Sequence, residues 1–155
     1  MAAPRRRLAS ASRAPRGRLL AIDYGRKRLG LALSDELGLA ARPLATLQRT
    51  NRRNDLRRLR EIVRRHQVAK IVVGQPLRLD GTAGDRAEEA ARFAGRLEKE
   101  LGLPVVLADE RLSSWAAEQM MVEAETPQRK RAAKRDQIAA ALILRDYLEA
   151  GRAGD

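Results

Sequence analysis

The sequence contains no cysteine, and its only histidine is His66. Without cysteine there are no disulfides or thiolate metal ligands, and a single histidine excludes a multi-histidine metal centre. A bound metal would therefore be held by oxygen atoms, which favours Mg²⁺ or Mn²⁺. Aromatic residues make up only 3% of the chain, so the core must be aliphatic. No apolar run approaches the roughly 20 residues that a membrane span needs, and we expect no membrane partner.

Positive charge dominates the composition. The 32 lysines and arginines outnumber the 20 acidic residues and give a formal net charge of +12. This excess predicts binding to a polyanion, of which nucleic acid is the commonest; the alternative is a solvated basic surface. The length of 155 residues fits one domain. Residues 1–17 contain no acid and carry Pro4 and Pro15, which favours a disordered basic arm over a transit peptide. We predict one domain at 18–151 and a tail at 152–155.

Apolar runs and turn residues predict three consecutive strands, then helices alternating with two further strands. The predicted strands are Arg18–Asp23, Leu29–Ser34, Ala40–Leu47, Lys70–Gly74 and Pro104–Ala108, and the predicted helices are Asp55–His66, Asp85–Leu101, Ser113–Glu123 and Asp136–Ala150. Consecutive strands favour antiparallel pairing, and strands separated by helices favour parallel pairing. The fold class is therefore α/β, with a mixed five-stranded sheet flanked by helices.

Three acids occupy positions where packing would favour another residue. Asp23 ends the first strand, Glu110 follows the last strand, and Asp136 lies one turn before the apolar stripe of the last helix. Ligands gather at the carboxyl ends of parallel strands, so these side chains can meet. Three converging carboxylates need a cation among them, and divalent ions in such a pocket catalyse phosphodiester hydrolysis.

Each acid also has an ordinary structural explanation. Asp23 is suited to cap a turn, and Asp136 is suited to the start of a helix. Glu110 could pair with Arg111 or Arg135, and the adjacent Asp109 is a rival ligand.

Basic residues flank two of these acids. Arg26, Lys27 and Arg28 lie in the turn after Asp23, and Lys134 and Arg135 precede Asp136. We predict that these five cations contact the phosphates of a substrate. A solvated turn is the alternative for the first group.

Four motifs together resemble the YqgF family: DYGRKRLGLALSD, KIVVGQPLRLDGTAG, VVLADERLSS and KRDQIAAALIL. The resemblance covers residues 18–150 and implies an RNase H-like fold in a cytoplasmic protein. Members of that family are classed as Holliday junction resolvases or as nucleases that process the 16S rRNA precursor. The resemblance places the catalytic, metal-binding acids at Asp23, Glu110 and Asp136. Gln75 and the pair Ser113–Ser114 depart from the family pattern, which affects substrate contacts more than chemistry.

The leading hypothesis is a metal-dependent nuclease that acts on structured nucleic acid, with precursor 16S rRNA favoured. One alternative is a Holliday junction resolvase, which would need a two-fold dimer for symmetric cutting. Another is a non-catalytic RNA-binding factor in ribosome assembly. A further alternative is an actin-like ATPase. That fold needs two subdomains of this kind around the nucleotide, and the chain is long enough for only one. The sequence has no clear apolar dimer patch, so we expect a monomer or a weak homodimer.

Overall fold

The computed structural model describes residues 17–76, 83–109 and 128–153. Five strands lie in this part of the chain: β1 (Arg18–Asp23), β2 (Arg28–Ser34), β3 (Ala41–Gln48), β4 (Val68–Gln75) and β5 (Val105–Asp109). Three helices accompany them: α1 (Arg52–His66), α2 (Asp85–Leu101) and α3 (Gln128–Ala153).

The strands form one mixed sheet in the order β3-β2-β1-β4-β5. The pairs β1–β2 and β2–β3 are antiparallel, whereas β1–β4 and β4–β5 are parallel. The predicted fold class is thus confirmed. The central strands β1 and β4 read as continuous apolar runs because helices cover both faces of the sheet.

Alternating side chains divide the core into two layers. Leu20 and Ile22 of β1 pack with Leu59 of α1 and Phe93 and Leu97 of α2. On the opposite face, residues from three strands pack against α3: Leu19, Ala21, Ala32 and Val72 contact the layer containing Ala140, Ile143 and Leu144. Successive side chains of β1 point to opposite faces of the sheet. Asp23 therefore lies on the same face as Leu19 and Ala21, the face that α3 covers.

Local signals set the ends of the first two helices. The Asn51 side chain accepts a hydrogen bond from the backbone N–H of Asn54 at the start of α1, as an N-cap does. Gln67, in the left-handed conformation, ends that helix. Gly102 ends α2 at φ +70°.

The sequence-based bounds needed correction mainly in α3. This helix begins at Gln128 and not at Asp136, because the polar segment before Asp136 contains good helix formers but no apolar stripe to reveal them. The predicted helix Ser113–Glu123 and the arm at 1–17, apart from Gly17, lie outside the described residues. Across the three described ranges, no helix is both long and apolar enough to cross a membrane.

Candidate functional site

Asp23 is the last residue of β1, at the end of a strand whose preceding residues are buried. It is opposite Gly30 in the antiparallel register with β2, and the preceding residue, Ile22, is opposite Val73 in the parallel register with β4. Asp23 is thus held by the centre of the sheet, while its own side chain is only partly buried. Pairing on both sides of β1 therefore fixes the position of the Asp23 backbone.

Asp136 reaches the same region from α3. Gly30 lies against the backbone of Asp136, so closely that any side chain at position 30 would overlap it. One turn earlier, the Thr46 hydroxyl on β3 donates a hydrogen bond to the Ala133 carbonyl. Because α3 begins at Gln128, Asp136 lies in its interior. The explanation of Asp136 as an acid at a helix start is therefore wrong.

The two acids line one cleft of about 530 Å³. The other lining residues are mostly cationic or belong to the β1–β2 turn: Tyr24, Gly25, Arg26, Lys27, Arg28, Pro76, Arg86 and Arg135. The structure thus brings together Asp23 and Asp136 with four of the five cations predicted for substrate contact. The fifth, Lys134, is exposed and is not among the residues that line the cleft.

Arg28 contacts Asp136 directly. Its Nε donates a hydrogen bond of 2.7 Å to Asp136 Oδ2, and the two side chains are 32% and 18% exposed. A half-buried ion pair of this kind is screened less than a surface pair. The guanidinium therefore neutralises part of the negative charge that two carboxylates place in the cleft.

Arg26 is held by a different acid. Its Nε donates to Oε1 and its Nη2 to Oε2 of Glu89 on α2, and this bidentate hydrogen bonding raises the pKa of Arg26 and lowers the pKa of Glu89. The pair ties the β1–β2 turn to α2, whose Arg86 also lines the cleft. Sequence reasoning missed Arg86, because the Arg26–Glu89 contact that brings α2 to the cleft joins residues 63 positions apart and has no local sequence signal.

Arg49, the residue that follows β3, was also missed. It donates to the Gly25 carbonyl at 2.9 Å and, through Nε, to Asp55 Oδ2 at 3.2 Å. Its guanidinium carbon lies 5.2 Å from the ring centre of Tyr24 and 5.5 Å from that of Phe93. Arg49 thus joins the turn after Asp23 to the first turn of α1, where Asp55 is buried. No local sequence pattern indicates these long-range contacts.

The third predicted acid, Glu110, lies outside the described residues, as do Ser113, Ser114 and the turn at 80–82. The residue before it, Asp109, ends β5 opposite Gln75 of β4. Gln75 donates a hydrogen bond to the Ala87 carbonyl at the start of α2. Within the described ranges, no three acidic, histidine or cysteine side chains form a group that could hold a metal ion.

A family model described as "RuvX: Holliday junction resolvase" matches residues 17–150. A relative from Syntrophus aciditrophicus is 50% identical over 133 residues, which are 86% of this chain and 89% of that protein. A relative from Geobacillus kaustophilus is 49% identical over 137 residues, covering 87% of this chain and 99% of that protein. Both carry the name "Putative pre-16S rRNA nuclease".

Two solved structures share the fold. RuvC from T. thermophilus, in complex with a Holliday junction substrate, aligns with a TM-score of 0.53 and 18% identity over 88% of this chain and 96% of that chain. The fowlpox virus resolvase, in complex with Holliday junction DNA, aligns with a TM-score of 0.50 and 13% identity over 86% of this chain and 97% of that chain.

Proposed function

Since the chain belongs to the RuvX family, described as Holliday junction resolvase, we propose that it is a metal-dependent nuclease that hydrolyses phosphodiester bonds in structured nucleic acid. One observation carries the proposal: Asp23 and Asp136, from separate elements, line a single cleft whose other charged side chains are basic. The acids proposed for catalysis and the cations proposed for phosphate binding thus line the same cleft.

The residues present fit a divalent ion. Carboxylate oxygens are the ligands that Mg²⁺ and Mn²⁺ prefer, and the sequence offers no cysteine and one histidine to favour another metal. We propose that Asp23 and Asp136 hold the ion. Glu110 is proposed as the third ligand on the resemblance alone. The residue before it, Asp109, ends β5 beside the carboxyl end of β4.

A bound divalent ion would supply the Lewis acidity and the activated water that phosphodiester hydrolysis requires. The protein's own contribution is to place the substrate. Arg26, Lys27, Arg28 and Arg135 are positioned to bind phosphate oxygens on the walls of the cleft. Lys134 extends this basic surface toward solvent. Since phosphate contacts carry no sequence information, these residues would orient the strand without choosing its sequence.

The favoured substrate is precursor 16S rRNA, in keeping with the names of the two relatives; that role would place the protein in the cytoplasm. The alternative is branched DNA, in keeping with the family description and the resolvase complexes. A resolvase would act as a two-fold dimer, whereas we expect a monomer or weak homodimer. Light scattering of the purified protein, free and with a four-way DNA junction, separates these two functions.

The test of the activity is cleavage by the purified full chain. A 16S rRNA precursor transcript and a four-way DNA junction are each incubated with Mg²⁺ or Mn²⁺. Asp23→Asn, Asp136→Asn and Glu110→Gln are each expected to lower the rate by about a hundredfold or more, since each removes a metal ligand.

Asp109→Asn is the matched control, because it neutralises an exposed acid beside Glu110 and should leave most of the activity. Circular dichroism establishes that each variant is folded. Cleavage that survives Asp23→Asn would exclude the proposed mechanism. Normal ribosome assembly in cells carrying Glu110→Gln and Asp136→Asn would instead support a non-catalytic RNA-binding factor.

A further inference from the structure

Helix α1 carries far more positive charge than the other helix on its side of the sheet. Its 15 residues include seven arginines and two acids, a net charge of +5. Helix α2 packs on the same face and has four cations and five acids, a net charge of −1. A general excess of arginine in the chain would raise the net charge of both helices alike. The concentration on α1 therefore needs a local explanation.

The arginines of α1 form an outward stripe. Arg53, Arg57 and Arg64 recur at spacings of four and seven residues, which places them on one side of a helix, and all three are exposed. The opposite side packs into the core through the buried Leu59 and the partly buried Leu56, Ile62 and Val63. The stripe thus faces away from the sheet.

This charge is not used in ion pairs within the described structure. No described acid pairs with Arg53, Arg57 or Arg64, even though Glu61 follows Arg57 by four residues and precedes Arg64 by three on the same helix. Two other arginines of the helix do have partners: Arg58 donates to the Gln48 carbonyl and Arg60 to the Glu100 carbonyl. Unpaired guanidinium groups in a row repel one another, and an external anion would relieve that repulsion.

A basic surface also leads from the cleft to the start of the helix that carries the stripe. A second depression of about 280 Å³ lies at the start of α1 and shares Tyr24 and Arg26 with the cleft. Arg49 and Arg52 also line this second depression. Cationic side chains therefore line both depressions, as far as Arg52 in the first turn of α1, and Asp55 is the one acid among the described residues that line the second depression.

The length of the helix suits a nucleic acid backbone. A helix of 15 residues is about 22 Å long. Phosphates recur about every 3.4 Å along the axis of each strand in a duplex, so α1 is long enough to follow about six of them. A single small anion would not need a surface of this length.

We propose that the outer face of α1, formed by Arg53, Arg57 and Arg64, binds the phosphate backbone of the substrate outside the cleft. The proposal rests on the proposed function for the identity of the substrate, but it concerns binding and not cleavage. A substrate long enough to leave the cleft would cross α1, and its backbone would be held independently of sequence. The protein would thereby favour nucleic acids with an extended arm over short strands.

The test is fluorescence anisotropy in EDTA with two labelled probes. One is an RNA hairpin of about 15 base pairs, longer than α1, and the other is a single strand of about four nucleotides, which the cleft alone can accommodate. The full-length triple variant Arg53→Gln, Arg57→Gln, Arg64→Gln removes the stripe. The matched control, Arg92→Gln, Arg96→Gln, Lys99→Gln, removes the same charge from α2.

We expect the α1 variant to bind the hairpin about tenfold or more weakly at low salt. Its slope of log affinity against log salt should be shallower by about two to three, because each lost phosphate contact lowers the slope by about one. Binding of the short strand should change less than about threefold, and the α2 control should bind both probes within about threefold of the wild type.

Equal losses in the two variants would overturn the proposal, because they would indicate a general effect of net charge. Unchanged hairpin affinity and slope in the α1 variant would overturn it as well. Since no metal is present, these results are independent of catalysis. A wild-type protein that binds the hairpin through α1 but cleaves nothing would disprove only the nuclease function, and a variant that cleaves and binds like the wild type would disprove only the α1 surface.

Discussion

The backbone carbonyl of Asp136 fills the space in which a side chain at position 30 would begin, so that only glycine allows α3 to approach β2 this closely. Gly30 is also the residue opposite Asp23 in the register between β1 and β2. One glycine therefore brings together the two elements that carry the acids of the cleft. The position of Asp136 beside the end of β1 depends on this contact.

Gly30→Ala should push α3 away from the sheet. We expect a loss of about 1–3 kcal/mol in the free energy of unfolding, the usual cost of overpacking a tight contact, and a fall in nuclease rate in the folded protein. Urea denaturation and the cleavage assay measure the two effects. Gly95→Ala is the control: a Cβ there meets nothing within 4 Å, and alanine should stabilise α2 by about 0.5–1 kcal/mol. A Gly30→Ala protein of normal stability would disprove the close contact.

The centre of the sheet was largely predictable from the sequence because its strands contain short apolar runs bounded by turn residues. Residues Leu19–Ile22 and Ile71–Val73 are buried on both faces of the sheet, and this leaves a continuous hydrophobic pattern that is hard to mistake. Asp23 was detectable for the same reason, as a charge at the end of such a run. The division into an antiparallel and a parallel half then followed from the rule that parallel pairs need helical connections, whereas the spatial order of the strands came from the structure.

The contacts that build the cleft were less predictable because they join residues far apart in the chain. Arg28 and Asp136 are 108 positions apart, and no periodic pattern links them. Gly30 did carry a signal, since an isolated glycine within a strand often marks a close backbone approach. The first two turns of α3 escaped prediction because polar helix formers without an apolar stripe resemble a loop.

Arg28→Gln should increase the affinity of the cleft for divalent metal. In the wild type, Arg28 Nε donates a hydrogen bond of 2.7 Å to Asp136 Oδ2. A metal ion that binds the same carboxylate must therefore either share Oδ2 with the guanidinium or displace the guanidinium. Removing the cation should tighten Mn²⁺ binding by about five- to tenfold, measured by electron paramagnetic resonance without nucleic acid.

Arg26→Gln is the matched control for this experiment. It removes the same charge from the lining of the same cleft, but Arg26 pairs with Glu89 and not with Asp136. Its effect on Mn²⁺ affinity should stay below about twofold. Equal changes in Mn²⁺ affinity in the two variants would indicate a general electrostatic effect of the positive charge in the cleft. That result would contradict the role of the Arg28–Asp136 contact.

Asp35 should make the stability of the β2–β3 turn depend on pH. Its carboxylate accepts hydrogen bonds from the backbone N–H groups of Ala40 and Leu39, which lower the pKa of Asp35. A carboxyl whose pKa is lower in the folded state stabilises the protein above its unfolded pKa of about 3.9 and loses this effect as the pH falls through the folded pKa. Asp35→Asn should therefore be less stable than the wild type at pH 7. This difference in the free energy of unfolding should disappear as the pH falls below about 4.

Urea denaturation at the two pH values measures this difference. The neighbouring Glu36, which is exposed and contacts Arg18 at 3.8 Å, provides the control. Glu36→Gln should change the free energy of unfolding by less than about 0.5 kcal/mol at neutral pH. An Asp35→Asn deficit of equal size at both pH values would contradict the assignment to charge.

The pair of Arg49 and Asp55 should be strongly coupled, since Asp55 is 5% exposed and Arg49 is its ion-pair partner. Arg49→Met leaves a buried carboxylate without its cation and frees the Gly25 carbonyl. We expect a loss of about 2–4 kcal/mol, somewhat below the cost of breaking a fully buried pair because Arg49 is partly exposed. Asp55→Asn should cost less, because the amide oxygen can still accept the hydrogen bond from the Thr50 N–H.

The double variant Arg49→Met, Asp55→Asn distinguishes electrostatic coupling from simple loss of packing. If the damage in Arg49→Met comes from an uncompensated charge, neutralising Asp55 should recover about 1–3 kcal/mol in a double-mutant cycle measured by urea denaturation. Strictly additive losses would show that Arg49 acts through its contacts with Gly25, Tyr24 and Phe93 and not through the charge of Asp55. In either case the turn after Asp23 loses the hydrogen bond from Arg49 to Gly25, so the cleavage rate of the folded double variant should stay below that of the wild type even where stability recovers.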